Sequence, residues 1–90
     1  MSKLNSYVLL DKQAEQYNTP MFLANDAVAI RTIKNELMNP NSQISLSPED
    51  FAIYKNGEYY SDIGEYSERQ DCELIIEVAD IQLPTIKEVK

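Results

Sequence analysis

The side chains best suited to chemistry in this sequence are cations on a helical stretch and tyrosines on extended ones. Arg31 and Lys34 stand three residues apart in NDAVAIRTIKNELM, a spacing that puts both on one side of a helix. Neither has an acid three or four residues before it, so the helix itself does not neutralise them. With Lys12 they are candidate phosphate contacts. A structural role competes: Arg31 can fork onto a carboxylate such as Asp50 and fix the loop after the helix. Four of the six tyrosines, Tyr54, Tyr59, Tyr60 and Tyr66, fall close together. Rings on a sheet can stack nucleobases. Yet Glu58, Asp62, Glu65 and Glu68 share this stretch, with no base between Lys55 and Arg69, and their charge repels phosphate. A protein-contact surface is the better functional reading, since tyrosine is enriched at interfaces. Ordinary half-buried strand tyrosines are the plain alternative.

Catalysis and metal binding find little to work with. The chain has no histidine, which removes the commonest general base and the commonest zinc ligand. Cys72, the single cysteine, sits on an apolar strand face, where it behaves as a small hydrophobe. It can form no internal disulfide, which suits a reducing cytoplasm. Asp62, Glu65 and Glu68 match no calcium-loop signature. No enzyme, cofactor or metal is therefore expected. The net charge of −7 is unevenly spread: residues 1–38 carry four acids and four bases, residues 39–90 eleven acids and four bases. A nucleic-acid binder usually carries the opposite sign on its working face, so any DNA-binding surface belongs to the neutral front half. No apolar run approaches the roughly 18 residues of a membrane span and no signal peptide opens the chain, so no membrane partner is expected.

The elements that must position these residues are organised around one helix, Asn25–Met38. Ala27, Ile30, Ile33 and Leu37 recur at helical steps, Asn25 can cap the first turn, and Asn39-Pro40 closes it. Tyr7–Leu10 reads as a mostly buried strand, Lys12–Thr19 as a polar connection, and Met21-Phe22-Leu23 as packing beneath the helix or as a short edge strand. Asn39–Pro48 is a loop anchored by Ile44 and Leu46, followed by one short helical turn at Ser47–Asp50. Phe51–Tyr60 is a strand in which two turns compete. Asn56-Gly57 suits a tight hairpin; Ser61-Asp62-Ile63-Gly64 suits a longer turn, with Gly64 left-handed and Gly57 at a bulge. Cys72–Ala79 is an amphipathic strand with Cys72, Leu74, Ile76 and Val78 on one face and Ile75 on the other. Pro84 ends the regular part.

Within this layout PMFLANDAVAIR (Pro20–Arg31) and NPNSQISLSPEDFAIYKNGEYYSDIG (Asn39–Gly64) form a recognisable pattern. It comprises Pro20 and Phe22, Ala29-Ile30-Arg31, Asn39-Pro40, Ser42, Pro48-Glu49-Asp50-Phe51, Ile53-Tyr54, Gly57, Tyr59 and Gly64. The pattern, over about residues 7–66, resembles the small nonstructural protein of gokushoviruses, single-stranded DNA phages of the microvirus group, often labelled DNA-binding. It departs after Gly57: Tyr60 and Ile63 stand where that family typically has aspartate and threonine, so no carboxylate role carries over to the turn. The resemblance implies a non-enzymatic phage accessory protein in the host cell cytoplasm, acting around genome replication or single-stranded DNA handling. Its partners would be single-stranded DNA or a phage or host replication protein.

The expected architecture is one α+β domain over residues 1–84, with a loose tail at 85–90. A mostly antiparallel sheet of three or four strands carries the helix on one face. A helix is about 10 Å wide and such a sheet up to about 19 Å, so one helix leaves apolar surface open. Pairing of two copies is the expected remedy, with Ile75 and the tyrosines at the contact; the competing one is that residues 81–90, with Ile81, Leu83 and Ile86, fold back and cover the gap.

Overall fold

The computed structural model describes residues 2–68 and 72–83, and within them the α+β expectation holds. The frame is a long antiparallel pair, β1 (Lys3–Asp11) and β4 (Phe51–Tyr60). Short strands flank it. β2 (Gln16–Tyr17) and β3 (Met21–Leu23) both pair with β1; β5 (Glu65–Tyr66) and β6 (Glu73–Glu77) both pair with β4. Six antiparallel segments thus lie about four abreast, the short ones sharing the two edges. Pro84 and the tail at 85–90 lie outside the described residues.

The first strand is longer than its apolar core suggests, because backbone pairing to β4 continues through polar Lys3 and Asn5. The polar stretch after it folds locally rather than merely connecting. The Asp11 carboxylate accepts from the amides of Gln13 and Ala14, and Asn18 bonds Leu9 twice, through its own amide and through its side-chain oxygen. Of the two readings of Met21–Leu23, the edge strand is the one observed.

Helix α1 (Asp26–Leu37) begins where the sequence predicts: Asn25 Oδ1 accepts from the Val28 amide at 3.0 Å. Its rotation differs. The buried stripe is Ala29, Ile33 and Leu37, with Ile30 at its flank, while Ala27 is exposed. One contact that no helical periodicity contains bears on this rotation: the buried Tyr7 hydroxyl donates to Asp26 Oδ1 at 2.5 Å and so ties the first turn to β1. Against the stripe pack Tyr7, Leu9, Phe51 and Ile53 from the sheet, and Val78 and Ile81 from beyond β6.

Between α1 and β4 a short helix α2 (Gln43–Leu46) replaces the expected plain loop, capped by Ser42 Oγ on the Ile44 amide. Ile44 anchors it, but Leu46 is 70% exposed and anchors nothing. A 3-10 turn at Pro48–Asp50 follows, as predicted. Strand β4 then runs unbroken through Asn56-Gly57, which excludes the tight hairpin there. Ser6 pairs with Gly57 and Tyr7 with Lys55, so Asn56 is the extra residue of a bulge. The turn falls at Ser61–Gly64, where Gly64 has φ 71°. A second bulge alters β6. Ile53 pairs with Ile76 but Tyr54 with Leu74, so the alternation breaks at Ile75. Ile75 and Ile76 both pack on the core, and Val78 is buried in a closing 3-10 turn, Val78–Asp80. Leu74 and Cys72 are exposed, so the predicted single apolar face of this strand does not form. Among the described residues no helix is long and apolar enough to cross a membrane.

Candidate functional site

Strand register assigns each side chain to a face. The helix covers the face bearing Tyr7, Leu9, Phe51 and Ile53. The opposite face carries Leu4, Ser6, Val8 and Leu10 from β1, and Ala52, Tyr54, Gly57 and Tyr59 from β4. Phe22, Tyr17, Tyr66 and Leu74 join it from the edges. The middle of this face is small. Phe22, Ser6 and Gly57 form one cross-strand row, and Tyr17, Leu10 and Ala52 another. Rings from the edges can lean inward over such low ground. Phe22, Tyr59 and Tyr66 form a triangle with centroids 5.0–6.0 Å apart, and Tyr17 meets Tyr54 edge-on at 5.9 Å. These are favourable aromatic separations.

The rings act as a thin roof. Ser6, Val8 and Ala52 beneath this face are buried. The roof itself stays wet: Phe22 is 39%, Leu74 47%, Tyr17 51% and Tyr66 54% exposed. Of the predicted contact residues, Tyr54, Tyr59 and Tyr66 therefore share one surface. Tyr60 lies on the other face, with its hydroxyl donating to Glu58, and Ile75 packs on the core; neither belongs to it. Tyr17 and Phe22 were not predicted. The signal for Phe22 was present in its alternation between Met21 and Leu23, once that stretch is taken as a strand.

The acids do not accompany the rings, contrary to the expectation from the linear sequence. The Asn56 bulge shifts β4 by one residue, which brings Lys55 and Glu58 onto the same face, joined there by Lys3 from β1. Glu58 Oε2 sits 3.3 Å from Lys3 Nζ and 3.2 Å from Lys55 Nζ. The hydrogen bond from Lys55 first, then that from Lys3, hold this carboxyl below the usual carboxylate range. Glu65 and Glu73 share that face by register with Tyr60 and Lys55. Among the charged strand residues only Glu77 lies on the aromatic side, and Lys12 Nζ holds it at 2.5 Å.

The predicted cations do not come together. Lys12 is engaged by Glu77, a hydrogen bond that raises its pKa. Arg31 is exposed on the helix side away from the buried stripe, and Lys34 is half-buried at its flank. Among the described residues neither has an ion-pair partner, and Asp50 meets Gln13 Nε2 rather than Arg31. Cys72 at the rim hydrogen-bonds with Tyr17, which raises the tyrosine pKa. A cleft of about 380 Å³ beside Tyr17 uses its polar groups locally: Asn18 Oδ1 takes the Leu9 amide and Ser42 Oγ the Ile44 amide. No group of three or more acidic, cysteine or histidine side chains among the described residues could hold a metal ion.

A family model described as Phage ORF5 protein matches residues 4–81, which takes in nearly all of β1 and everything from there to Ile81. The chain belongs to the Phage ORF5 protein family. It is a phage protein. No curated protein and no solved structure matches it. The match to this Phage ORF5 chain covers every ring of the open face, from Tyr17 to Tyr66, and both bulges that sort the strand acids from them.

Proposed function

We propose that this member of the Phage ORF5 family is a non-enzymatic accessory protein of phage genome replication in the host cytoplasm. It works as an acidic protein-interaction module that engages a phage or host replication protein. The place in replication is supported by the resemblance to the gokushovirus nonstructural protein. The choice of protein over DNA rests on one observation: Arg31 and Lys34 lie on the opposite side of the sheet from the rings. A general single-strand binder couples a cationic groove to its stacking platform, so that phosphates and bases are held together. Among the described residues the rings have only the paired Lys12 near them, and Arg31 and Lys34 lie across the helix.

A second reading keeps direct single-stranded DNA binding, because the strand acids Glu58, Glu65 and Glu73 turn away from the rings and leave them free to stack bases. Titration of labelled single-stranded DNA at two salt concentrations separates the two. The interaction module gives no salt-dependent binding. A steep salt slope that falls by about two in the Arg31→Glu, Lys34→Glu double variant instead establishes the DNA reading on the helix side. Loss of binding only in Phe22→Ala or Tyr59→Ala establishes it on the rings.

A further inference from the structure

The aromatic face has a property that a −7 chain can hardly show elsewhere: among the described strand residues its only charge is Glu77, which Lys12 pairs. Two copies of such a chain repel at most orientations. They can approach closely where the one strand acid present, Glu77, is paired with Lys12, and the two bulges and the strand pleat have sent Glu58, Glu65 and Glu73 to the other face. We infer that the aromatic face is occupied by a second copy of this chain, in a two-fold pair that buries Phe22, Tyr59, Tyr66, Tyr17 and Leu74. This rests on the reading of that face as a protein-contact surface.

The size is right. Strands of nine and ten residues are about 30 Å long, and four abreast span about 19 Å. The flat area is therefore about 600 Å², and side-chain relief brings the accessible area near the roughly 800 Å² that each partner of a stable pair contributes. The composition is right as well, since aromatic residues dominate the dry centre of interfaces and charges are depleted there. A two-fold axis needs only one self-complementary patch, and stacked rings offer one. The pair would leave the acid-bearing, helix-covered side of each copy outward for the replication protein.

Sedimentation equilibrium of the full chain over a dilution series tests this, with Phe22→Glu and Leu74→Glu as variants and Arg31→Glu as a control. Both test positions are already partly exposed, so a glutamate there is tolerated in the folded monomer; circular dichroism verifies the fold, and either variant suffices if the other misfolds. The expected result is twice the chain mass of 10.3 kDa for the wild-type chain and the control. The variants should dissociate at least about a hundredfold more readily, because like charges then face each other across the axis. A wild-type monomer overturns the pairing, and so does a dimer that both folded variants leave unchanged. Neither outcome touches the DNA titration, which judges the protein-contact reading independently.

Discussion

Tyr7 joins three parts of the molecule through one oxygen. Its hydroxyl accepts from Asn5 Nδ2 at 3.0 Å and donates to Asp26 Oδ1, while its ring lies fully buried under the helix. Burial first, and then the bond to Asp26, push its pKa up to about 12. An unfolded tyrosine titrates near 10, so the unfolded chain loses this proton first as pH rises. The stabilisation is full below about pH 10 and is lost between about pH 10 and 12. Tyr7→Phe should lower stability by about 1.5–3 kcal/mol at neutral pH, the range for a hydrogen bond to a charged group. It should also flatten the alkaline limb of a urea-midpoint profile. Glu58 has the opposite sign. Its lowered pKa supports the fold above the unfolded value of about 4.3 and ceases to do so as pH falls through the folded one. The acid limb of the same profile should therefore be shallower for Glu58→Gln, and an identical limb would show that the two lysines do not hold it in solution.

Among the elements, α1 depends on one stripe and one cap. Ile33 lies mid-stripe and is 5% exposed, so Ile33→Ala should lower stability by about 2–5 kcal/mol in chemical denaturation. Asn25→Ala removes the side-chain acceptor for the Val28 amide and should lower it by about 1 kcal/mol. The β4–β5 turn makes a different demand. Gly64 takes a left-handed backbone, yet an added methyl there would meet nothing within 4 Å. Gly64→Ala should thus lower stability by about 1 kcal/mol through backbone strain alone, with no change in the aromatic face. A much larger loss would mean that the turn is packed rather than open.

At the scale of the molecule, the sheet has two roofs of unequal thickness. A helix covers one face; a single layer of rings covers the other and remains about half exposed at Tyr17 and Tyr66. Any molecule that binds the folded chain there stabilises it by mass action. If that molecule is a second copy, the melting temperature should rise with protein concentration. In Phe22→Glu it should not, and a melting temperature of the wild-type chain independent of concentration would contradict the pairing.

Several features were legible in the order of residues because their causes are local. The Asn25 cap, the closure of α1 before Pro40 and the helical turn at Pro48 each follow from one or two side chains acting on the adjacent backbone. The α+β class follows from one helical period set among strand-like runs. The resemblance to a phage family was legible too, since a motif is itself a sequence. The composition of the open face was not. Two bulges, at Asn56 and at Ile75, each reverse which side of the sheet the following residues occupy, and only pairing with a distant strand reveals an extra residue. That reversal puts Tyr59 rather than Glu58 on the face of Tyr54, sends Ile75 inward and leaves Leu74 outside. The rotation of α1 was hidden for the same reason: no periodicity carries the Tyr7–Asp26 bond between residues nineteen apart. Faces are decided by which strand lies alongside, and that is a property of the folded chain.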